Sequence, residues 1–345
     1  MKKSTSIFDR VVYAINVLFA LLLIVTGLIS YVPLQFFAAI SVLSLVVPFL
    51  FALNALFFLY WTVQLKRKFV LSLLSMVLGY WMFGPFYGFD KTEPYQDTAS
   101  DLKIMSYNVW GFNRYGWVPG SGVGDSIVQF VKQQDPDILC LQEHSRIRHR
   151  QLKQYPYRSE TPYSVKKSIQ AIFSKYPIIG KGSLNLPGTI NNIIYADIAF
   201  EKDTIRVYNM HLQSFNIVPT TDNLMDGEES EKTYKRLVAT FSKQLEQAEI
   251  FRNHLNESPY INIVCGDFNN TQFSNIYKIV KGDLQDTFLE KGKGFGRTYD
   301  LWKFPLRIDY ILADENFEVL SHQNFDQHLS DHYPVMATLR LTSHQ

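Results

Sequence analysis

Hydrophobic positions fall along this chain in two regimes. From Val11 to Leu65 no Asp, Glu, Lys or Arg occurs, and a second charge-free run covers Phe69 to Phe89. A bilayer core needs roughly 20 apolar residues per helix, so the first run is long enough for two spans and the second for one. The polar breaks at residues 31–35 and at Lys66-Arg67-Lys68 predict spans at 11–31, 36–61 and 69–89. Three such runs in series argue against buried core helices. Their length argues against a cleavable signal peptide, whose apolar core is roughly 7–15 residues.

After a polar stretch, residues 90–100, read as a linker, the pattern changes. Short runs rich in Ile, Val, Tyr and Phe predict strands at Leu102–Tyr107, Ile138–Leu141, Ala171–Phe173, Ile193–Phe200, Ile205–Met210, Ile261–Val264, Ile308–Leu312 and Val335–Leu339. Apolar residues at near-helical spacing predict helices over about 123–134 and 231–255. The polar, acidic stretch 218–232 reads as a loop. Strands joined both by tight turns and by helices make 101–345 a mixed α/β domain, with no internal repeat or low-complexity tract.

Charge then orients the chain. Lys2, Lys3 and Arg10 precede the first span and Lys66-Arg67-Lys68 separates the second from the third, which by the positive-inside rule predicts a cytoplasmic N-terminus. Three crossings would leave the α/β domain extracytoplasmic, the bacterial inner membrane being the expected site. Trp61, Tyr80, Trp81 and Tyr87 lie near span ends, where interfacial aromatics belong. Cys140 and Cys265 each sit in an apolar strand-like run, which predicts small buried core residues; a non-cytoplasmic location would leave a disulfide open.

The candidate chemistry lies where strand-like runs end. "IMSYNVWGF" ends at Asn108, "DILCLQEH" at Gln142-Glu143, "VYNMHLQS" at His211 and "VCGDFNNT" at Asp267 and Asn269. "RIDYILAD" sets Asp309 among apolar residues, and "LSDHYPVMA" sets Asp331-His332 before the last strand. Taken singly, Asn108 reads as a turn former, Glu143 as a solvated strand end, His211 as a core histidine and Gly266-Asp267 as a turn. Asp309 is harder to dismiss, because a buried carboxylate needs a partner. Together, Glu143, Asp331 and Asp267 with Asn oxygens suit Mg2+ or Mn2+. No HExxH or Cys-pair zinc motif occurs. A divalent ion, amides, an oriented imidazole and a general base are what phosphoester hydrolysis requires.

Residues 101–341 resemble the endonuclease/exonuclease/phosphatase superfamily, through "MSYNVWG", "LCLQE", "AIFSKYPI", "NMHLQS", "CGDFNN", "GRTYDLWKFPLRIDYIL" and "SDHYPV" in that order. The resemblance implies a four-layer α/β sandwich, two mixed β-sheets flanked by helices, here preceded by three transmembrane helices. It implies that Glu143 is the main metal ligand, with Asn108 and Asp331 near the ion. It gives Asp267 the attacking water, Asn269 the phosphate, and pairs Asp309 with His332 at the scissile phosphate. His211 would contact phosphate or assist the leaving group. Ser168-Ile169-Gln170 departs from the glycine that often precedes "AIFSKYPI".

Residues 98–345 hold 27 basic and 28 acidic residues, so a global nucleic-acid footprint is missing. Arg146-Ile147-Arg148-His149-Arg150 is a local basic cluster, either a solvated loop or a phosphate-recognition loop. The readings carried forward are a membrane-anchored hydrolase of a phospholipid-type headgroup, an extracytoplasmic nuclease, and a silent phospho-ligand-binding module. Within "VCGDFNNT", Asp267 and Asn269 but not Asn270 are expected to line the site, with Phe268 pointing into the core.

Overall fold

Helix Ile7–Ile29 opens the chain in the computed structural model, which describes residues 6–31, 38–89, 95, 98, 100–164, 167–215, 227–301 and 303–342. The Ser6 side chain caps it by accepting from the Phe8 N–H, with Asp9 in its first turn, where a negative charge meets the positive end of the helix dipole. A second apolar helix covers Ala38–Val63. Its early turns tighten to a 3-10 form at Val42–Val46, just before Pro48, which has no N–H to donate and crowds the preceding turn. Both helices have a mean hydropathy of 2.5 and are long enough to cross a membrane. Less than a third of either is buried, unlike core helices of a soluble protein.

The third predicted span is shorter than the sequence suggests. The charge-free run reaches Phe89, but the helix is Phe69–Phe83, 15 residues, or about 22 Å, against a hydrocarbon core of about 30 Å. It ends because Gly84 takes a left-handed φ of +77° and Pro85 follows, a combination that stops helices. Buried polar contacts join the three helices. Asn16 donates to Ser72 Oγ at 2.8 Å and accepts from Trp61 Nε1 at 3.0 Å, and Ser75 donates to Asn54 Oδ1 at 3.1 Å.

The chain divides into two compact units, one of Met1–Pro85, Ile217–Leu245 and Thr271–Lys278, the other of Phe86–Asn216, Glu246–Asn270 and Ile279–Gln345. The second unit holds the strands β1 (Asp101–Asn108), β2 (Ile138–Gln142), β3 (Tyr157–Glu160), β4 (Ala171–Ser174), β5 (Ile178–Leu184), β6 (Asn192–Phe200), β7 (Asp203–His211), β8 (Ile261–Asp267), β9 (Gln285–Asp286), β10 (Tyr299–Leu301), β11 (Phe304–Leu306), β12 (Asp309–Ala313), β13 (Phe317–Asn324) and β14 (Val335–Leu341). One six-stranded sheet runs β13-β14-β1-β2-β4-β3 and the other β5-β6-β7-β8-β12-β9. Both are mixed: β1–β2 and β7–β8 are parallel and their other pairings antiparallel.

Between the sheets lies one apolar core, with Leu102, Ile104 and Ile172 from one side against Ile194, Val207, Ile263 and Ile311 from the other. Helix Val123–Gln134 covers the outer face of the first sheet through Ile127, Phe130 and Val131 against Tyr107 and Leu139. The C-terminal part of helix Gly227–Asn256 covers the second, Phe251 and His254 meeting Tyr208. Cys140 and Cys265 are free, fully buried thiols of this core, and burial pushes the Cys265 thiol well above its ordinary value.

All eight predicted strands are present, β1, β2, β4, β6, β7, β8, β12 and β14. The short or alternating β3, β5, β9, β10, β11 and β13 escaped the pattern. The stretch read as a loop at 218–232 is helical from Gly227 onward, and its earlier residues lie outside the described ones.

Candidate active site

One row across the second sheet positions the chemistry. β7 and β8 are parallel with His211 opposite Asp267, and β8 and β12 are antiparallel with Asp267 opposite Asp309. Side chains of residues paired across neighbouring strands point to the same face, so His211, Asp267 and Asp309 emerge side by side. Each comes from a different part of the sequence.

The first sheet reaches this row from the other side. Asn108 ends β1 and its Nδ2 donates to Asp267 Oδ2 at 3.1 Å, while its Oδ1 accepts from Trp110 N at 3.2 Å. His332, which precedes β14, places Nδ1 2.9 Å from Asp309 Oδ2 and Nε2 3.6 Å from Asp267 Oδ2. His211 Nε2 lies 3.7 Å from Asp267 Oδ2 and 3.9 Å from Glu143 Oε1. Asp331 is tied in through Ser330, whose Oγ lies 3.1 Å from Asp331 Oδ1 and 2.9 Å from Asn108 O.

The loop "GDFNNT" needs unusual backbone. Gly266 has φ +140°, and a Cβ there would sit 2.1 Å from Met210 O, so only glycine lets β8 lie this close to β7. Asn269 has a left-handed φ of +48°, which Asn tolerates better than most residues. Its N–H donates to Asp267 Oδ1 at 2.7 Å and its Nδ2 to Leu212 O at 3.0 Å. Phe268 is buried, its ring 4.6 Å from that of Tyr310. It therefore faces the core as predicted, although through a turn and not through the extended alternation the sequence suggested. Asn270 is also buried, its carbonyl accepting from Tyr310 Oη at 3.0 Å.

Glu143 likewise has a left-handed φ of +49°, and Trp110, Gly111, Phe112 and Asn113 form a run at +43°, +64°, +57° and +56°. Such residues cost about 1–2 kcal/mol each outside glycine, and here they surround the row. Gly111 N donates to Glu143 O at 2.8 Å. Gly111 and Ser145 also line a cleft of about 410 Å³, together with Asn113, Gly122 and Arg148.

Burial sets the charges. It raises Asp267 to about 6, with Asp309 adding to the rise and His332 and His211 opposing it. Burial alone would lower His332, but the Asp309 and Asp267 carboxylates outweigh it and hold the imidazolium well above its ordinary value. His211 is pushed down by burial and is neutral near pH 7. Burial and then the Asp331 carboxylate raise Glu143. Carboxylates that repel one another in this way form a donor set suited to a hard dication. One atom each of Asp267, Asp309 and His332 also lie within 4.8 Å of one another, but an imidazolium held by two carboxylates offers a metal no lone pair, so this trio reads as an acid–base group and not as the ion's ligands.

All eight predicted residues thus gather at one end of the sandwich. Sequence reasoning missed the residues beneath them. Gln142 Nε2 donates to Asn209 Oδ1 at 2.7 Å, and Asn209 donates to Leu141 O and Ala171 O at 2.9 Å, so a buried amide pair links the two sheets. Thr298 Oγ1 accepts from the Asp309 N–H at 3.1 Å, and the Tyr299 ring stands 5.1 Å from His332. An Asn between Tyr208 and Met210 was the available signal for the first. The basic cluster is largely engaged: Arg146 pairs with Glu160, and Arg148 with Asp125 and Gln151. Gln170, at the departure from the superfamily pattern, is fully buried.

The same architecture occurs in solved structures. TDP2 of D. rerio, complexed with single strand DNA product, is 17% identical, with a TM-score of 0.54 over 70% of this chain and 99% of that one. An endonuclease/exonuclease/phosphatase from Beutenbergia cavernae is 17% identical, with a TM-score of 0.53 over 70% and 72%. The human Nocturnin catalytic domain with bound sulfate is 15% identical, with a TM-score of 0.52 over 72% and 97%. At these identities the likeness is one of fold. No curated protein matches the chain. Residues 9–86 match a domain of unknown function, DUF8431, and residues 105–332 match the profile described as Endonuclease/Exonuclease/phosphatase family. With more than half of its length so matched, the chain belongs to the endonuclease/exonuclease/phosphatase family.

Proposed function

We propose that this protein is a membrane-anchored phosphoesterase that uses Mg2+ or Mn2+ to hydrolyse a phosphoester by water attack. The observation that carries the reading is the surroundings of Asp267: a buried carboxylate touched by Asn108 and the Asn269 N–H, with two imidazoles within 4 Å. A raised acid beside a carboxylate-held imidazolium at the strand ends is the arrangement by which active sites set a base and a cationic donor apart.

Glu143, Asn108 and Asp331 are the residues that would hold the ion, which when bound supplies positive charge to the phosphate oxygens. Asp267, ionised above about pH 6, takes the proton of the attacking water. His332, kept charged by Asp309, donates a hydrogen bond to the phosphate as negative charge grows there. Asn269 and neutral His211 contribute further polar contacts to phosphate.

The substrate is a phospholipid-type headgroup or a nucleic acid. The near-neutral balance of residues 98–345 favours a headgroup. The DNA product in the D. rerio structure supports the nuclease alternative. A silent binding module is disfavoured, since the acids and histidines of the site are all present.

For the anchor we infer three crossings with the N-terminus cytoplasmic. Lys66 Nζ lies 2.6 Å from Asp9 Oδ2, at the start of the first helix, and Tyr31 Oη donates to Met82 O at 2.8 Å, at its end. The 15-residue helix therefore runs alongside the first in the same direction. A thinned bilayer accommodates a short helix at modest cost.

The test is turnover by the full chain in detergent, with Mg2+ or EDTA, on plasmid DNA, RNA, sphingomyelin-type and phosphoinositide substrates. Metal-dependent turnover lost in Asp267→Ala and His332→Ala is expected. Absence of turnover on every phosphoester would reject the reading.

A further inference from the structure

Directly after Glu143 the chain builds a second set of donors outside the row described above. His144 follows β2, His149 lies in the 3-10 turn Arg146–Gln151, and Glu160 ends β3. One atom from each lies within 4.8 Å of the others. The two imidazoles stack with centroids 5.0 Å apart and planes 12° apart, against the edges of Phe173 and Phe112.

His144 is 4% exposed, and neither of its ring nitrogens has a hydrogen-bond partner. A buried polar atom left unsatisfied costs about 1–3 kcal/mol, and native interiors contain few of them. His149 Nε2 lies against Glu160 Oε1, so His144 is the member of the group whose nitrogens lack a partner.

We propose that His144, His149 and Glu160 form a second metal site, which takes a borderline dication such as Zn2+. Two imidazoles and one carboxylate with an open fourth position are a three-ligand zinc set, and imidazole ligands select against Mg2+. The hard-oxygen donors around Glu143 make the opposite selection. Arg146 Nε, 3.3 Å from Glu160 Oε2, and Arg158 Nε, 3.3 Å from Oε1, hold the carboxylate in place, and their charge keeps affinity below that of an isolated His/His/Glu set. Bound there, the ion would tie the segment after Glu143 to β3 and fix the left-handed turn that presents Glu143.

The full chain in detergent, stripped with EDTA and then held in excess Mg2+, is titrated with Zn2+ by calorimetry and with Co2+ by visible absorption. One Zn2+ per chain is expected despite the Mg2+, with Co2+ bands of a four-coordinate site and a Zn2+-dependent rise in melting temperature. His149→Ala, at a partly exposed position, is expected to weaken Zn2+ at least about tenfold with its melt without Zn2+ unchanged, and Asp267→Ala to bind as wild type. The proposal is overturned if no Zn2+ binds under excess Mg2+, if His149→Ala and Glu160→Gln bind as tightly as wild type, or if Asp267→Ala abolishes binding. None of these outcomes bears on Mg2+-dependent phosphoester turnover, so the two readings fail separately.

Discussion

His332 Nδ1 stands 2.9 Å from Asp309 Oδ2, and this contact fixes which way the imidazole faces. With Nδ1 committed to Asp309, Nε2 is the nitrogen left to point at Asp267 and the site. The carboxylates also hold the ring's proton, raising His332 well above its ordinary value. Asp309→Asn keeps the shape and removes the charge. It is expected to lower kcat by about 10²–10⁴ and to move the alkaline limb of the pH–rate profile to lower pH, because His332 then loses its proton more easily. A profile whose alkaline limb stays in place would show that Asp309 does not act through His332.

Asp267 governs the acid side. Its carboxyl is raised to about 6 by burial, so the free protein is expected to lose activity as pH falls through about 6, well above the range of an ordinary aspartate. Positive charge bound at Glu143, Asn108 and Asp331 would favour the ionised form, so raising Mg2+ should shift this limb downward. Asp267→Asn is expected to abolish both the limb and turnover, with the melting temperature kept or raised, since an unfavourable buried charge is removed. The pH dependence of kcat/KM at two Mg2+ concentrations checks the shift.

Gly266→Ala tests the backbone beneath the site. The added Cβ would lie 2.1 Å from Met210 O, at a φ of +140°, so β8 and β7 must separate where His211 and Asp267 pair. A loss of about 2–4 kcal/mol of stability is expected, read by denaturant unfolding, with a fall in kcat larger than the residual folded fraction accounts for. Gly266→Ala with wild-type stability would mean that the close approach is not required.

Much of this site was legible because its residues sit at strand ends, where period-two patterns stop and an acid, amide or histidine stands out. Asp309 was recognisable because the pattern around it is fully apolar. The amide pair Gln142–Asn209 was not, since only the packing of two sheets brings those residues within 2.7 Å. The six strands that were missed are short, exposed on one side or rich in Gly and charge, so the hydrophobic signal is weak there. The third apolar helix was overread for the converse reason. Hydropathy continues to Phe89, but the Gly84-Pro85 backbone ends the helix at Phe83.

In the proposed anchor, that helix decides which side of the membrane holds the α/β unit, because two crossings return the chain to the side of the N-terminus and three do not. Asn16, which bridges the three helices, is fully buried and bonded to Ser72 and Trp61, and hydrogen bonds of this kind are worth about 0.6–1.7 kcal/mol each in membranes. A reporter fused after Gln345 is expected to be active only outside the cytoplasm, and one fused after Arg67 only inside. Asn16→Leu removes both hydrogen bonds and should loosen the helices by about 1–2 kcal/mol, read as a lower melting temperature in detergent with orientation unchanged. A cytoplasmic reporter after Gln345 would mean that Phe69–Phe83 lies in the membrane without crossing it, and the substrate would then have to be sought on the cytoplasmic face.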